Sequence, residues 1–266
     1  MYATNYARAT SLDDAVAKLN AAEDGKFLGG GQTLLATMKQ RLAAPSDIVD
    51  VTKIADLKGI SADATSVTIG AATTHAEVAA SADVAGAIPA LAELAENIGD
   101  PAVRNMGTLG GSLANNDPAA DYPAAAMALD AVIHTNKGSY TAAEFFVGMF
   151  ETALDEDEII VRVTFQKPQK SAYEKFRNQA SRYALCGVYV AQAADGSARV
   201  AVTGSGADGV FRVAEMEQAL AGNWSGSAVK GIGVSPDAML SDIHGSAEYR
   251  AHLVSVLAAR AVDNAA

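Results

Sequence analysis

Two glycine-rich segments constrain the fold of this chain more than any other feature of its sequence. The first, residues 29–33 (GGGQT), separates a strand-like run at residues 26–28 from a helix predicted over residues 34–42. Glycine has no Cβ, so such a loop lets the backbone come close to a bulky ligand. The first turn of the following helix presents free N–H groups and the positive end of the helix dipole. The segment therefore favours an anion such as phosphate, and a purely structural turn is the alternative.

Two well-known phosphate-binding motifs are excluded at this loop. No Gly-Lys-Ser or Gly-Lys-Thr follows the glycines, so the segment is not a Walker A loop. Leu34 stands where the Rossmann fingerprint has its third glycine, so that dinucleotide motif is not predicted either.

The second glycine-rich segment, residues 104–121 (RNMGTLGGSLANNDPAAD), lies in a stretch without helical or strand periodicity. We predict a long functional loop over residues 100–122. Its glycines permit close backbone approach, and its short polar side chains suit a ligand with many oxygens, such as a pyrophosphate and a ribityl chain. Those side chains belong to Thr108, Ser112, Asn115 and Asn116. Two such segments in one chain favour a large phosphorylated cofactor.

Two charged residues of the second segment each have two interpretations. Asp121 precedes a helix predicted over residues 124–129, so it either caps that helix or accepts hydrogen bonds from ligand hydroxyls. Arg104 is either a phosphate clamp or an ordinary salt-bridge partner. The sequence leaves both choices open.

Composition excludes several other kinds of site. The formal net charge is −11 and no run of Lys or Arg occurs, which disfavours a nucleic-acid partner. Cys186 is the only cysteine; we expect it in the core, and any iron–sulfur cluster must lie in another chain, since a cluster typically needs four thiolates. The four histidines lack metal-ligand spacing, so no metal site is predicted. No stretch is apolar enough for a membrane span and the N-terminus lacks a signal-peptide pattern, so we expect a cytoplasmic protein.

The order of predicted elements divides the chain into two parts. Strands and helices alternate over residues 1–168, and this part includes a short helix predicted over residues 142–149. The remainder is typical of an antiparallel meander followed by helices. We predict the boundary near residues 167–170 (KPQK).

Three segments carry a resemblance to a known family: residues 29–35 (GGGQTLL), 103–114 (VRNMGTLGGSLA) and 117–125 (DPAADYPAA). They resemble the FAD-binding medium subunit of the xanthine oxidase and carbon monoxide dehydrogenase family of molybdenum hydroxylases. The resemblance extends over nearly the whole chain. It implies an α+β fold with a two-part FAD-binding domain of the vanillyl-alcohol-oxidase (PCMH) type over residues 1–168. It also implies a small C-terminal domain over residues 169–266, with an antiparallel three-stranded sheet and helices.

The resemblance further implies which residues bind the cofactor. The first loop would line the FAD pyrophosphate through backbone amides, the second loop would lie over the cofactor, and Asp121 would bind ribityl or ribose hydroxyls. Lys175 belongs to a YEKFR run whose lysine lies near FAD in relatives. Tyr183 falls where relatives place a side chain against the isoalloxazine ring, although packing on a strand is the alternative. The full set is Phe27, Leu28, Gly29, Gly30, Gly31, Gln32, Thr33, Leu34, Ile98, Thr108, Leu109, Gly110, Gly111, Ser112, Asp121, Ile160, Lys175 and Tyr183.

Two departures from the family pattern bear on the flavin. Residues 180–184 read ASRYA, so Arg182 stands where relatives often have an aspartate. A positive charge near the flavin favours its anionic reduced states and raises its potential. Asp100 stands where many relatives have histidine.

The implied reaction is divided among subunits. A large molybdopterin-binding partner would hydroxylate the substrate, and a small [2Fe–2S] partner would relay electrons. FAD in this chain would pass the electrons to an external acceptor, within a heterohexamer. No catalytic acid, base or nucleophile is predicted in this chain. The alternatives are a self-sufficient FAD oxidoreductase of the same fold and a flavin-free assembly subunit.

Overall fold

The computed structural model describes residues 1–266 and contains three sheets, one separate hairpin and twelve α-helices. The strands are β1 (Asn5–Arg8), β2 (Gly25–Leu28), β3 (Asp47–Asp50), β4 (Ile60–Ala62), β5 (Ser66–Gly70), β6 (Val132–Thr135), β7 (Ser139–Thr141), β8 (Phe146–Gly148), β9 (Glu151–Thr152), β10 (Ile160–Gln166), β11 (Lys170–Arg177), β12 (Ala184–Gln192), β13 (Ala198–Thr203) and β14 (Phe211–Arg212). The helices are α1 (Leu12–Asn20), α2 (Leu34–Lys39), α3 (His75–Ala80), α4 (Ala82–Ala87), α5 (Pro89–Glu96), α6 (Pro101–Met106), α7 (Leu109–Asn115), α8 (Tyr122–Ala128), α9 (Ala142–Phe145), α10 (Ala214–Gly222), α11 (Gly226–Val229) and α12 (Ala247–Asn264). None of the helices combines the length and apolar character that crossing a bilayer requires.

The first part of the chain contains two sheets of different kinds. Strands β1, β3 and β2 form a parallel sheet in that order, while β4, β5, β10, β6 and β7 form an antiparallel one. A buried apolar cluster links the two sheets, because it contains Val49 from β3, Leu19 from α1 and Val161 from β10. The first glycine loop connects the end of β2 to α2. The α+β class predicted from the sequence is confirmed.

The stretch predicted as one long loop, residues 100–122, is largely helical. Asp100 accepts a hydrogen bond from the Val103 N–H (3.0 Å) and caps α6, whose first residue is Pro101. Thr108 accepts from the Gly111 N–H (3.2 Å) and caps α7. The prediction was wrong because the polar residues that interrupt the helical pattern are the caps themselves, and because glycine inside a helix lowers the helical signal.

The helix predicted over residues 142–149 ends earlier, at Phe145. It begins with a capping box between Thr141 and Glu144, and then gives way to the hairpin formed by β8 and β9. Asn116, which ends α7 in the left-handed conformation, holds this hairpin: its amide donates to the carbonyls of Gly148 (2.7 Å) and Glu151 (2.9 Å). The second glycine-rich segment is therefore tied to a distant part of the chain.

The second part of the chain contains the predicted antiparallel meander. Strands β11 to β14 pair in sequence order, and the fourth strand, of two residues, adds to the three strands expected. Alternate residues of β12 face two different cores: Val188 and Cys186 pack with α12, whereas Tyr189 packs with the first part of the chain. Cys186 is fully buried, as expected, and burial raises the pKa of its thiol to about 11. The boundary predicted near residue 168 lies in the connection between β10 and β11.

Arg250 of α12 is a buried charge that supports the meander. Its guanidinium donates to the carbonyls of Leu185 and Gly204 (2.7 Å each) and pairs with Asp242 (2.8 Å). The Arg250 side chain is only 3 % exposed, so water does not replace these contacts. The arginine therefore satisfies carbonyls that the sheet leaves without donors.

We expect Arg250→Met to lower the free energy of unfolding by about 3 kcal/mol, because it removes the donors that Arg250 supplies to the buried carbonyls of Leu185 and Gly204, together with the ion pair to Asp242. Urea denaturation measures the loss. The matched control is Arg260→Met, which changes an exposed arginine on the same helix and should leave the midpoint nearly unchanged. Equal midpoints for the two variants would contradict the structural role of Arg250.

Candidate functional site

A cleft of about 710 Å³ lies between the two parts of the chain. Its walls are the first glycine loop, one face of α7 from Gly111 to Asn115, the segment between α5 and α6, and the segment that follows β9. Strand β11 and the turn before β12 close it from the side of the meander. Among the residues lining it are Phe27, Gly30, Thr33, His75, Ile98, Asp100, Thr108, Ser112, Asp117, Asp121, Glu158, Lys175, Arg182 and Tyr183. The volume lies within the range of about 300–1,000 Å³ that is typical of ligand sites.

The first glycine loop offers hydrogen-bond donors that the protein does not use. The backbone N–H groups from Gly29 to Leu34 donate to no backbone or side-chain acceptor of the chain. Gly31 has a φ of +72°, a conformation that favours glycine. Successive free N–H groups along a turn form an anion-binding concavity. The loop therefore fits the prediction that an anion binds here.

The N–H groups of Leu109, Gly110 and Gly111 in the second segment, in contrast, are occupied. Leu109 donates to the Thr73 carbonyl (3.0 Å), Gly110 to the Ala71 carbonyl (2.8 Å) and Gly111 to the Thr108 hydroxyl (3.2 Å). A Cβ on Gly110 would stand 2.6 Å from the Ala71 Cβ. Gly110 therefore lets α7 pack closely against Ala71, whereas Gly111 lines the cleft, where the sequence led us to expect room for a ligand.

The two loops are in direct backbone contact at Gly30. A Cβ built there would lie 1.9 Å from the Met106 carbonyl oxygen and 2.6 Å from the Gly107 Cα. Both neighbours are backbone atoms, so no side-chain rotation can relieve the clash. Glycine at position 30 is thus required for the two loops to form one continuous wall of the cleft.

A buried ion pair forms the floor of the cleft. The Lys175 ammonium lies 2.9 Å from one Asp121 carboxylate oxygen and 3.0 Å from the other, and both side chains are under 5 % exposed. The Tyr173 hydroxyl also donates to Asp121 (2.6 Å). Burial raises the pKa of the Asp121 carboxyl, although Lys175 and Tyr173 oppose the shift. This cluster joins β11 to the start of α8 and thereby links the two parts of the chain.

A second contact of Lys175 fixes the neighbouring wall. Its ammonium donates to the Asn97 carbonyl (3.2 Å), and Arg177 on the same strand donates to the Asn97 side chain. Asn97 directly precedes Ile98, which lines the cleft. Lys175 therefore contacts both Asp121 at the floor of the cleft and Asn97 in the segment between α5 and α6.

The structure brings most of the sequence-predicted residues to this cleft. Those lining it are Phe27, Leu28, Gly30, Gly31, Gln32, Thr33, Leu34, Ile98, Thr108, Gly111, Ser112, Asp121, Lys175 and Tyr183. Gly29, Gly110 and Ile160 line a smaller apolar cavity of about 110 Å³, which shares Phe27 and Thr108 with the cleft. Leu109 lines neither, because its side chain is fully buried in the core.

The contacts of Asp121 and Arg104 bear on the alternatives that the sequence left open. The Asp121 side chain makes no capping hydrogen bond to α8, and instead pairs with Lys175. Arg104 donates to the Ile98 carbonyl (3.1 Å) and neither lines the cleft nor forms an ion pair, so it has neither of its predicted roles. Asp100 lines the cleft and also caps α6.

Sequence reasoning missed two features of the site. His75 lines the cleft although it begins α3, far from both glycine segments in sequence. Asp155, Glu156 and Glu158 line the opposite end, after the hairpin. The acidic run was visible at residues 155–158, but only the fold brings it to the cleft. No group of three or more His, Cys, Asp or Glu side chains is arranged to hold a metal ion.

Comparison with known proteins identifies two matching families. Residues 2–168 match the FAD binding domain in molybdopterin dehydrogenase, and residues 171–265 match the CO dehydrogenase flavoprotein C-terminal domain. The nicotine 6-hydroxylase medium subunit of Paenarthrobacter nicotinovorans is 35 % identical over 98 % of this chain and 96 % of its own length. The carbon monoxide dehydrogenase medium chain of Hydrogenophaga pseudoflava is 32 % identical over 96 % and 94 %.

Solved structures give the same result. Carbon monoxide dehydrogenase from Hydrogenophaga pseudoflava, in a form lacking the Mo-pyranopterin moiety of the molybdenum cofactor, superposes with a TM-score of 0.89. That match covers 98 % of this chain and 96 % of the other at 32 % identity. Quinoline 2-oxidoreductase from Pseudomonas putida 86 superposes with a TM-score of 0.88 at 28 % identity, covering 98 % and 96 %. The resemblance seen in the sequence is confirmed.

We expect Gly30→Ala to lower the free energy of unfolding by about 2 kcal/mol, because the new methyl group would push the two loops apart. Urea denaturation measures this effect. Gly138→Ala is the matched control, since a Cβ at that position meets no atom within 4 Å. A Gly30→Ala protein as stable as the Gly138→Ala protein would mean that the loops tolerate separation.

The ion pair between Lys175 and Asp121 leads to a second prediction about the free energy of unfolding. Asp121→Asn and Lys175→Met should each lower the free energy of unfolding by about 3 kcal/mol or more, because each leaves a buried charge unpaired or poorly solvated. The double variant should lose less than the sum of the two single losses. Lys230→Met, at an exposed position, serves as the control. Strictly additive losses would show that the two residues do not interact.

Proposed function

The chain belongs to the family of FAD-binding subunits of molybdopterin dehydrogenases, and from this premise we propose that it is the electron-transfer subunit of a three-subunit molybdenum hydroxylase. The single observation that carries the proposal is the row of unpartnered N–H groups from Gly29 to Leu34, in a loop that lines a cleft of about 710 Å³ from Gly30 onward. A dinucleotide needs such donors for its pyrophosphate and such a volume for its rings. The relatives are subunits of dehydrogenases and hydroxylases.

The residues of the cleft fit FAD in charge and shape. The first loop would hold the pyrophosphate, since its free N–H groups carry partial positive charge and its glycines leave no side chain in the way. Ser112 and Thr108 supply hydroxyl groups beside it. Ile98 and Tyr183 supply apolar surface for the ring systems. The small apolar cavity at Ile160 extends this surface behind the loops.

The chain's own contribution is to bind and orient the cofactor. Bound FAD supplies chemistry that accepts electrons one at a time and delivers two. The Lys175–Asp121 pair keeps the floor of the cleft rigid and nearly neutral, because each charge compensates the other. Asp121 retains lone pairs that can accept hydrogen bonds from ribityl or ribose hydroxyls. No proton transfer by a side chain is required.

The proposed reaction needs partner subunits, because it uses cofactors that this chain does not hold. It has one cysteine, which is buried, so the iron–sulfur clusters that feed electrons to FAD must belong to a small partner. Substrate hydroxylation would belong to a large molybdopterin-binding partner. The names of the relatives, medium subunit and medium chain, support an assembly of this kind. We extend the proposal to a heterohexamer in the cytoplasm, with an external electron acceptor.

Purification of the tagged chain from its host under mild conditions tests the proposal. We expect flavin absorption, iron–sulfur absorption, and one larger and one smaller chain in the same fraction by mass spectrometry. A yellow protein without partners would instead support a self-sufficient FAD oxidoreductase. A fraction with partners but without flavin, which also fails to take up added FAD, would favour an assembly subunit.

Arg182 allows a prediction about the flavin potential. It lines the cleft, is exposed, and is held in a left-handed turn (φ 63°) in which its N–H donates to the Asn178 carbonyl (2.9 Å). Arg182→Asp should lower the flavin potential by on the order of tens of millivolts, because it removes a positive charge and adds a negative one near the reduced flavin.

Spectroelectrochemical titration of the flavin measures this change. Arg260→Asp makes the same change of charge at an exposed position on α12 and serves as the control. An unchanged potential in Arg182→Asp would mean that this side chain does not act on the flavin.

A further inference from the structure

His75 is a buried histidine whose side chain has no hydrogen-bond partner in the chain. The residue is only 5 % exposed, and its Nδ1 is fully enclosed without a donor or acceptor near it. Its ring packs against Tyr122, with the ring centroids 5.3 Å apart. An orphaned imidazole in a protein interior is costly, so its position calls for an explanation.

The surroundings of the other ring nitrogen of His75, Nε2, provide that explanation. Nε2 is not enclosed, and His75 lines the cleft. A Cβ on Gly107 would stand 2.6 Å from Nε2, so this nitrogen lies against Gly107, which also lines the cleft. The Gly107 Cα in turn lies in contact with Gly30. Gly107 therefore lies in contact both with Nε2 and with the loop whose N–H groups are unpartnered.

The protonation state of His75 follows from this environment. Burial lowers the pKa of its imidazole to about 4, so the ring is neutral at physiological pH and carries a single N–H. A buried N–H without an acceptor is rarer and more costly than a buried lone pair without a donor. The proton is therefore on Nε2, on the side of the cleft, and the lone pair is on Nδ1.

We propose that His75 is a positioning residue, which donates a hydrogen bond from Nε2 to an oxygen or nitrogen acceptor of the bound FAD beside the first glycine loop. The inference rests on the proposed function, since it takes FAD as the occupant of the cleft. A neutral donor suits this place because the free N–H groups of the loop already supply partial positive charge. Gly107 is then required at its position so that the imidazole can reach the cleft.

Two measurements on the full chain test this role. Titration with FAD gives the dissociation constant by quenching of flavin fluorescence. Nitrogen NMR of the ¹⁵N-histidine-labelled chain follows the imidazole, with the resonances of His75 assigned from their loss in His75→Gln. We expect the protonated Nε2 resonance to shift when FAD binds, while Nδ1 stays unprotonated.

Variants separate positioning from a merely structural role. His75→Leu should weaken FAD binding about tenfold or more, the effect of losing one hydrogen bond to the ligand. His75→Gln retains an N–H donor and should recover most of the affinity. The control is His134→Leu: His134 is a histidine of β6 that contacts Thr164 (3.2 Å) outside the cleft, and this change should leave FAD affinity unaltered.

The outcomes distinguish this inference from the proposed function. Two results would show that His75 is not a donor to FAD: the wild-type chain binds FAD but the Nε2 resonance does not move, or His75→Leu and His75→Gln bind FAD equally well. Either result overturns the inference, while the proposed function stands. If the wild-type chain takes up no FAD, either alone or with its native partners, both fail. A His75→Leu protein that does not fold leaves the wild-type NMR shift and the Gln variant to decide.

Discussion

The buried pair of Lys175 and Asp121 is the interaction on which the geometry of the cleft depends. Asp121 begins α8 in the first part of the chain, and Lys175 lies on β11 in the second. The same lysine holds the Asn97 carbonyl, and through it the segment that carries Ile98. Burying two charges is favourable only when geometry and further hydrogen bonds compensate the desolvation, and here the Tyr173 hydroxyl provides one of them. The pair therefore fixes the relative position of β11, the start of α8 and the segment between α5 and α6. It leaves no net charge at the floor of the cleft.

The two glycine segments, which look alike in sequence, have different physical roles. The first keeps its N–H groups free, and its glycines leave space for a ligand. The second uses its N–H groups for the protein, and its glycines leave space for Ala71 and His75. Contact between the loops at Gly30 makes the role of each dependent on the other. A loop that binds a ligand through its N–H groups must not use those groups within the protein. Contact with the rigid second segment keeps the first loop in that state.

Much of this arrangement was predictable from the sequence, for identifiable reasons. The strand–glycine–helix turn at residues 26–34 and the meander of β11 to β13 follow from local patterns that the fold preserves. The ion pair between Asp121 and Lys175 of β11 joins residues distant in sequence. The resemblance implied that both lie near the cofactor but did not predict their pairing. Helices α6 and α7 were missed because their caps resemble loop residues. His75 was missed because nothing local distinguishes a histidine at the start of a helix from one that faces a cleft.

Helix α8 lies between the elements of the first core and the sheet of the meander, which explains why it consists mostly of small residues. Ala124, Ala125 and Ala126 are all fully buried, and the far side of the helix is covered by Tyr189 and Ala201 of the meander. During synthesis the ribosome completes α8 well before the strands that cover it. The nascent chain therefore carries an apolar helix that the meander does not yet cover, until the last third of the protein has emerged. During this interval, chaperone binding or misassembly competes with folding.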